Sequence, residues 1–306
     1  MSVPGKATTL VYQSYRVDDV PAWITACSRT VQAWASAQGY DYEFVDDRLF
    51  DYVPAWLRER VRHAKLPMSD YARVALANAI LQRGYQRSIW VDIDVVIFDT
   101  VSFQANNGAR EFALTAEVWF DVADCARLPN PLPLALTLEE DKRLLRHMLQ
   151  APAGTVPDYK PVCFMNVANA VLIQSAGDPF ADLYLSTVEA FARNVRGPIS
   201  PVTIGTRLLT TLQTLRFFPL VQDVGMLSPL VMTALATDDS AVLGEYMRRI
   251  GGSLSAANLC SSFSGQVRRG VEMNERLYER VLDLLLSTRG GCLNGRSQDP
   301  TAPSVS

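Results

Sequence analysis

The chain has little of what most often builds metal and nucleophile sites. Its 306 residues include two histidines, His63 and His147, and five cysteines, Cys27, Cys125, Cys163, Cys260 and Cys292, none in a Cys-x-x-Cys pair. A zinc site of sulfur and imidazole ligands therefore has little to draw on. A Ser-His-Asp or Cys-His arrangement fares no better, because both histidines stand in Arg-rich segments, 58–65 and 142–150, that read as solvated helix faces. An odd number of unclustered cysteines fits a reducing compartment. Lysine is scarce (Lys6, Lys65, Lys142 and Lys160), and 29 Lys+Arg against 32 Asp+Glu give a formal net charge of -3, so there is no broad basic footprint for nucleic acid. No Gly-x-Gly-x-x-Gly dinucleotide fingerprint is present. No apolar run approaches the roughly 20 residues that span a bilayer, and the first thirty residues lack the layout of a signal peptide. The expectation is a cytoplasmic protein. Arg58-Glu-Arg-Val-Arg62 is the segment that could meet phosphate or lipid headgroups at a membrane surface, although it reads first as a solvated face.

At 48% hydrophobic residues the chain is ample for a large α/β domain. Residues 8–15 read as a strand, 21–37 as an amphipathic helix ended by Gly39, and 40–45 as a second strand, so the opening is a β-α-β unit. A helix over 67–82 begins with proline and Ser69-Asp70, and its Asp70 and Arg73 share one face near the N-terminus. Further on, 111–119 reads as a strand, 128–138 as a proline-rich loop and 139–150 as a charged helix. Residues 163–175 form an apolar run carrying Asn166 and Asn169, followed by a turn into a helix over 180–194. Helices are expected over 202–215, 241–250 and 271–287, with a flexible loop at 251–263 and a disordered tail over 290–306. The whole is read as one domain over 1–289, with a nucleotide-binding half at about 8–125 and an acceptor half at about 126–289.

The most informative stretch is Arg87-Ser-Ile-Trp-Val-Asp-Ile-Asp-Val-Val-Ile-Phe98, a buried-strand pattern running into two carboxylates one residue apart. Side chains two apart on a strand share a face, which places Asp92 and Asp94 together beside Trp90. Two acids on an apolar strand repel and desolvate each other, and a divalent cation, a shared proton or a basic partner is what compensates them. With so little histidine and cysteine, the cation of choice is oxygen-ligated Mg²⁺ or Mn²⁺.

Ser69-Asp70-x-x-Arg73 on a helix, followed by an apolar strand ending Asp92-Ile-Asp94, resembles the DXD glycosyltransferases of the GT-A fold. The pattern is similar to the retaining group that includes α-mannosyltransferases and the glycosylating domains of clostridial toxins. Asn169-Ala-Val-Leu-Ile-Gln-Ser-Ala-Gly-Asp-Pro-Phe180 is similar to that family's later strand-to-helix block. The match departs from the family at Arg83-Gly84, where paired glycines are usual, and at Asp178, where histidine is common. The resemblance implies a Rossmann-like mixed sheet flanked by helices, with additional helices at the C-terminal end. It implies transfer of a sugar from a nucleotide-sugar donor, UDP-linked first and GDP-linked next, to an unidentified acceptor (glycan, lipid, protein or small molecule). Asp94 is then the direct metal ligand and Asp92 bridges metal and donor. Asp70 and Arg73 hold the donor sugar, Asn169 lies by the reacting centre, and Val11, Tyr12 or Gln13, with Trp90 nearby, meet the donor base. Asn258, Ser261 and Ser262 close on the diphosphate or complete the metal shell. Two alternatives stay open. Asp92-Ile-Asp94 also looks like the first motif of haloacid-dehalogenase-type Mg²⁺-dependent phosphatases, for which Thr237-Asp238-Asp239 is the available late acidic cluster. A GT-A-like domain without turnover, serving as a binding module, is the other.

Overall fold

A computed structural model of the chain describes residues 7–103, 105, 112–120, 165–216, 220–268 and 271–293. Strands β1 (Thr9–Ser14), β2 (Asp41–Val45) and β3 (Arg87–Val91) run parallel, with β1 between the other two. β6 (Met165–Ser175) pairs antiparallel with β3 on one side and with β5 (Ala113–Val118) on the other, and β7 (Leu220–Val221) adds in parallel beside β5. The result is a six-stranded mixed sheet of order β2-β1-β3-β6-β5-β7. The inner strands read as near-continuous apolar runs because both faces of the sheet are covered.

Alternation along β1 shows the two layers. Leu10 and Tyr12 join Trp90 of β3 and Met68, Ala72 and Leu76 of helix α3 (Lys65–Gln82) in one cluster. Val11 joins Ile89 and Val91 with Val31 and Trp34 of α1 (Ala22–Ala37) in another. α4 (Phe180–Asn194) packs beside α3, placing Phe180, Ala181 and Tyr184 in the same cluster. The short α2 (Ala55–Arg60) is clamped to the end of α4 by Arg60, which donates to the carbonyls of Ala192, Val195 and Gly197. Its arginines thus serve packing as well as solvation.

A smaller sheet hangs from the end of β3. β4 (Val95–Ile97), β9 (Ala256–Asn258) and β8 (Val224–Met226) pair in the order β4-β9-β8. Beyond it, α6 (Pro229–Thr237), α7 (Ser240–Ile250) and α8 (Glu275–Ser287) share a core with α1, in which Trp23 stacks on Tyr278 with ring centroids 4.2 Å apart. The mixed sheet flanked by helices, with further helices at the C-terminal end, agrees with the architecture that the resemblance implies. Among the described residues no helix is long and apolar enough to cross a membrane.

Several expectations are corrected. Residues 251–263 are not a flexible loop: Leu254 to Cys260 is buried and supplies the central strand of the small sheet. Its serines and asparagine look loop-like in sequence, yet Ser255 and Asn258 are buried polar residues that fix a strand. The helix expected over 202–215 begins only at α5 (Leu208–Arg216), after a kinked turn at Thr203–Arg207 in which Gly205 leaves helical geometry. The last helix starts at Glu275, where the Asn274 side chain accepts from the Leu277 N–H, and Val271–Glu272 (β11) instead pairs with Val267–Arg268 (β10). Residues 290–293 form a turn that buries Leu293, so the tail is ordered at its start. The expected 128–138 loop, the 139–150 helix, His147, and the tail from 294 lie outside the described residues.

Candidate functional site

The site is assembled where β1, β3 and β6 meet the N-terminal half of α3. α3 carries Asp70 and Arg73 on the face that packs against the sheet, and both are buried. An arginine in that position persists only with its charge compensated and its donors satisfied. Arg73 Nη1 donates to Asp92 Oδ1 and to the Asn169 carbonyl, each at 2.9 Å. Nε donates to the Ser69 carbonyl and Nη2 to Ser69 Oγ, with Asp70 Oδ1 3.6 Å from Nη2. The guanidinium also lies over the Trp90 ring, 4.8 Å from its centroid. Burial works against the Arg73 charge, but Asp92 and Asp70 outweigh it and hold the proton more firmly than usual.

The sequence expectation sets Arg73 against sugar or phosphate. Its donors are directed at protein atoms, so it orients its neighbours. Asn169, on β6, donates from Nδ2 to Asp70 Oδ1 at 2.9 Å, which joins Asp70, Arg73, Asn169 and Asp92 into one network. Tyr12 is fully buried: its hydroxyl donates to the Arg73 carbonyl at 2.7 Å, and its ring meets Trp90 edge-on. Val11 is buried on the opposite face. Neither side chain offers a surface on which a base could stack, which corrects that assignment. Gln13 is fully buried too, its Nε2 donating to the Asp92 carbonyl while Oε1 accepts from the hydroxyls of Ser28 and Tyr42. It holds the backbone of the acidic motif. The partly exposed aromatic at this end of β1 is Tyr15, with Arg16 over its ring at 5.4 Å.

Asp92 and Asp94 do not sit on a strand. β3 ends at Val91, and Asp92-Ile93-Asp94 is a turn, closed by the Val95 N–H to the Asp92 carbonyl, that swings the chain from the large sheet into the small one. The shared face of a regular strand is therefore lost, and the two acids have different partners. Asp92 Oδ1 accepts from Arg73 and from Trp90 Nε1 at 2.7 Å, while Oδ2 faces Asn258 Nδ2 at 3.4 Å. Trp90 thus holds Asp92 in place. Asp94 Oδ2 accepts the Ser261 backbone N–H at 2.6 Å, and its carbonyl accepts the Leu259 N–H. Desolvation raises the Asp92 carboxyl to about 7, against the pull of Arg73 and with the push of Asp94. Burial also raises Asp70, opposed by Arg73 and Asn169.

The β9 end closes the site from the other side. Asn258 bonds Asp92 through Nδ2 and takes the Cys260 N–H on Oδ1, and Ser261 contributes its backbone. Ser262 is exposed and its carbonyl accepts from Gln266 Nε2, so it is not drawn into the acidic pair. Among the described residues no third Asp, Glu, His or Cys completes a metal-binding group. The residues that could hold a cation are Asp92 and Asp94. Both are oxygen donors, the ligand type that hard divalent ions prefer.

Sequence reasoning missed two residues here, Tyr184 and Gly205. The Tyr184 hydroxyl lies 2.7 Å from the Ile204 carbonyl and 3.3 Å from the Asp70 carbonyl. Gly205 is pressed against the Asp70 carboxylate. A lone glycine inside a helix-like pattern was the available signal for the second. The acidic cluster that the phosphatase alternative needs is spent locally: Asp238 and Asp239 are exposed, and Asp239 caps α7 by accepting the N–H groups of Ala241 and Val242.

No protein-family profile matches the chain, and no curated protein matches it. Among solved structures, a glycosyltransferase involved in the glycosylation of the major capsid of PBCV-1 is similar at 11% identity, covering 90% of this chain and 98% of that one, with a TM-score of 0.40. Mouse xyloside xylosyltransferase 1, in its apo form, is similar at 12% identity, covering 83% of this chain and 98% of that one, with a TM-score of 0.41.

Proposed function

We propose that the chain is a glycosyltransferase of hexosyltransferase type that takes a sugar from a nucleotide-sugar donor, UDP-linked first and GDP-linked next, and passes it to an acceptor hydroxyl. The observation that carries this reading is the buried network joining Asp70, Arg73, Asn169 and Asp92. It brings together the sequence blocks in which the resemblance lies. A structural Asp-x-Asp at a strand end would need no arginine buried beneath it, and that arginine would need no second acid three residues before it.

In this reading Arg73 and Trp90 fix Asp92, Gln13 fixes the backbone of the acidic turn, and the Ser261 N–H fixes Asp94. Asp92 and Asp94 would hold Mn²⁺ or Mg²⁺, which when bound offsets the charge growing on the departing diphosphate. Asp70, oriented by Asn169, accepts hydroxyls of the donor sugar. Tyr15, the partly exposed aromatic at the end of β1, is the candidate for contact with the base. Transfer proceeds with retention, the leaving phosphate oxygen taking the acceptor proton on the same face, so that no protein nucleophile is required. An inverted anomer in the product, read by NMR, would exclude that course.

Calorimetric titration of UDP and GDP with and without Mn²⁺, on the wild type and on Asp94→Asn, tests the donor site. Metal-dependent binding of one nucleotide, lost in the variant, is the expected result. Absence of binding by both nucleotides to the wild type overturns the reading.

A further inference from the structure

The Arg-rich segment between α2 and α3 takes no part in the site, and its cations face outward. Just past α2 the chain holds two successive residues in the left-handed region, Arg62 at φ 55° and His63 at φ 54°. Backbone bonds alone close this turn, the Arg62 N–H to the Glu59 carbonyl and the His63 N–H to the Arg58 carbonyl, each at 2.9 Å. The turn needs neither side chain, and glycine would adopt it without the steric cost that arginine and histidine carry. Both residues are nevertheless charged or chargeable, and both are exposed.

The loop after α4 is drawn to the same place. Arg60 donates to the carbonyls of Val195 and Gly197, each at 2.8 Å, which brackets Arg196, and Arg193 lies over the Trp56 ring at 3.8 Å. Over residues 58–65 and 189–196 six arginines and lysines therefore meet two acids, in a chain whose formal net charge is -3. Both acids are engaged, Glu59 with His63 at 3.3 Å and Glu189 with Arg193 at 3.7 Å and the Tyr71 hydroxyl. Arg62, Lys65 and Arg196 are exposed and have no ion-pair partner among the described residues. Exposed apolar side chains accompany them: Leu66, 45% exposed, follows Lys65, and Val202, 39% exposed, ends the loop that carries Arg196.

We propose that this face docks on an anionic lipid bilayer, with Arg62, Lys65 and Arg196 on the headgroup phosphates and Leu66 and Val202 at the boundary of the acyl chains. A nucleic acid would answer the cations as well, but it gives the apolar side chains nothing to enter. The inference goes beyond the donor-site reading and does not depend on it.

Co-sedimentation of the whole chain with vesicles tests it, using phosphatidylcholine alone and about three parts phosphatidylcholine to one part phosphatidylglycerol. Preferential binding to the anionic vesicles, weakening as salt is raised, is expected. The triple variant Arg62→Gln, Lys65→Gln, Arg196→Gln should bind them about a hundredfold more weakly, roughly fivefold for each charge removed. Leu66→Ser should lower binding by less and leave its salt dependence as it was. A wild type that binds neither vesicle, or binds both equally, overturns the proposal, and so does a triple variant that binds like the wild type. Should the triple variant fail to fold by circular dichroism, unchanged binding by Arg196→Gln, a single change in a loop, overturns it. Duplex DNA that displaces the protein from the vesicles at equal phosphate concentration marks the face as one for nucleic acid and overturns it too.

Discussion

The two acids of the Asp-Ile-Asp turn belong to neighbouring but differently built regions. On the α3 side, Asp92 is held by two side-chain donors, one of them the charged Arg73, which is itself bonded to three separate elements. On the small-sheet side, Asp94 is held by one backbone N–H, and the nearest side-chain amide, Asn258, makes a long contact to the other acid. That side also carries Glu117 of β5. Among the described residues its buried Oε2 has no hydrogen-bond partner, and together with Asp94 and Asp92 Glu117 pushes the Cys260 thiol up beyond the effect of burial. One half is thus prebuilt and charge-balanced, and the other is acidic and short of donors. The difference teaches where charge is left uncompensated: around Arg73 it is balanced within the chain, whereas on the small-sheet side the acids have few donors.

The largest test of that comparison is Arg73→Met. Removing the guanidinium leaves Asp70 and Asp92 buried without their counter-charge, and the expected loss is about 3–5 kcal/mol in urea unfolding. Donor binding should disappear with it. A loss below about 1 kcal/mol would mean that the network is no more than a surface ion pair.

A smaller effect of opposite sign is expected from Glu117→Gln. Burial raises the Glu117 carboxyl to about 7, whereas an unfolded glutamate titrates at about 4.3. Between those values the native state keeps a proton that the unfolded chain has released, so wild-type stability falls as pH rises through this window. The variant does not titrate there. Its advantage over wild type should be absent near pH 4, grow on the way to pH 7, and level off above it at on the order of 1–3 kcal/mol. An advantage independent of pH would show that Glu117 keeps its ordinary acidity, and the small-sheet side would then be less strained than described.

Asn169→Ala should cost about 1–3 kcal/mol, because it strips a buried carboxylate of its amide donor. Asp94→Asn should be nearly silent in stability, below about 1 kcal/mol, since an amide oxygen can still accept the Ser261 N–H. Yet it should abolish metal-dependent nucleotide binding. Should Asp94→Asn destabilise as much as Asn169→Ala, the contrast between a structural and a ligand-facing half fails.

Much of the large sheet was legible in sequence because its signals are local. The helix over Phe180–Asn194 begins after Asp178-Pro179 and has a clear amphipathic period, and it forms over those residues. The residues that make the network were also legible, since an arginine three positions after an acid on an apolar helix and a paired acid after an apolar strand are unusual enough to stand out. Their roles were not. Alternation along β1 cannot say which of two covered faces is the site, so Tyr12 was assigned to a base although it is buried beneath Arg73. The pairing of Asp92 and Asp94 was inferred from the period of a strand that in fact ends one residue earlier.

The sequence by itself determined the α/β alternation, the oxygen-only character of the acidic pair, and the need for something to compensate its charge. These follow from residue type and short-range periodicity, which fix what each segment must bury and what charge must be compensated. Only the tertiary structure decided that Ala256–Asn258 is a strand beside the acids, that Arg73 bonds both Asp92 and Asn169, and that Gly205 lies on Asp70. Each of those depends on contact between segments far apart in the chain, where the energy lies in mutual burial and in bonds that neither segment can form alone.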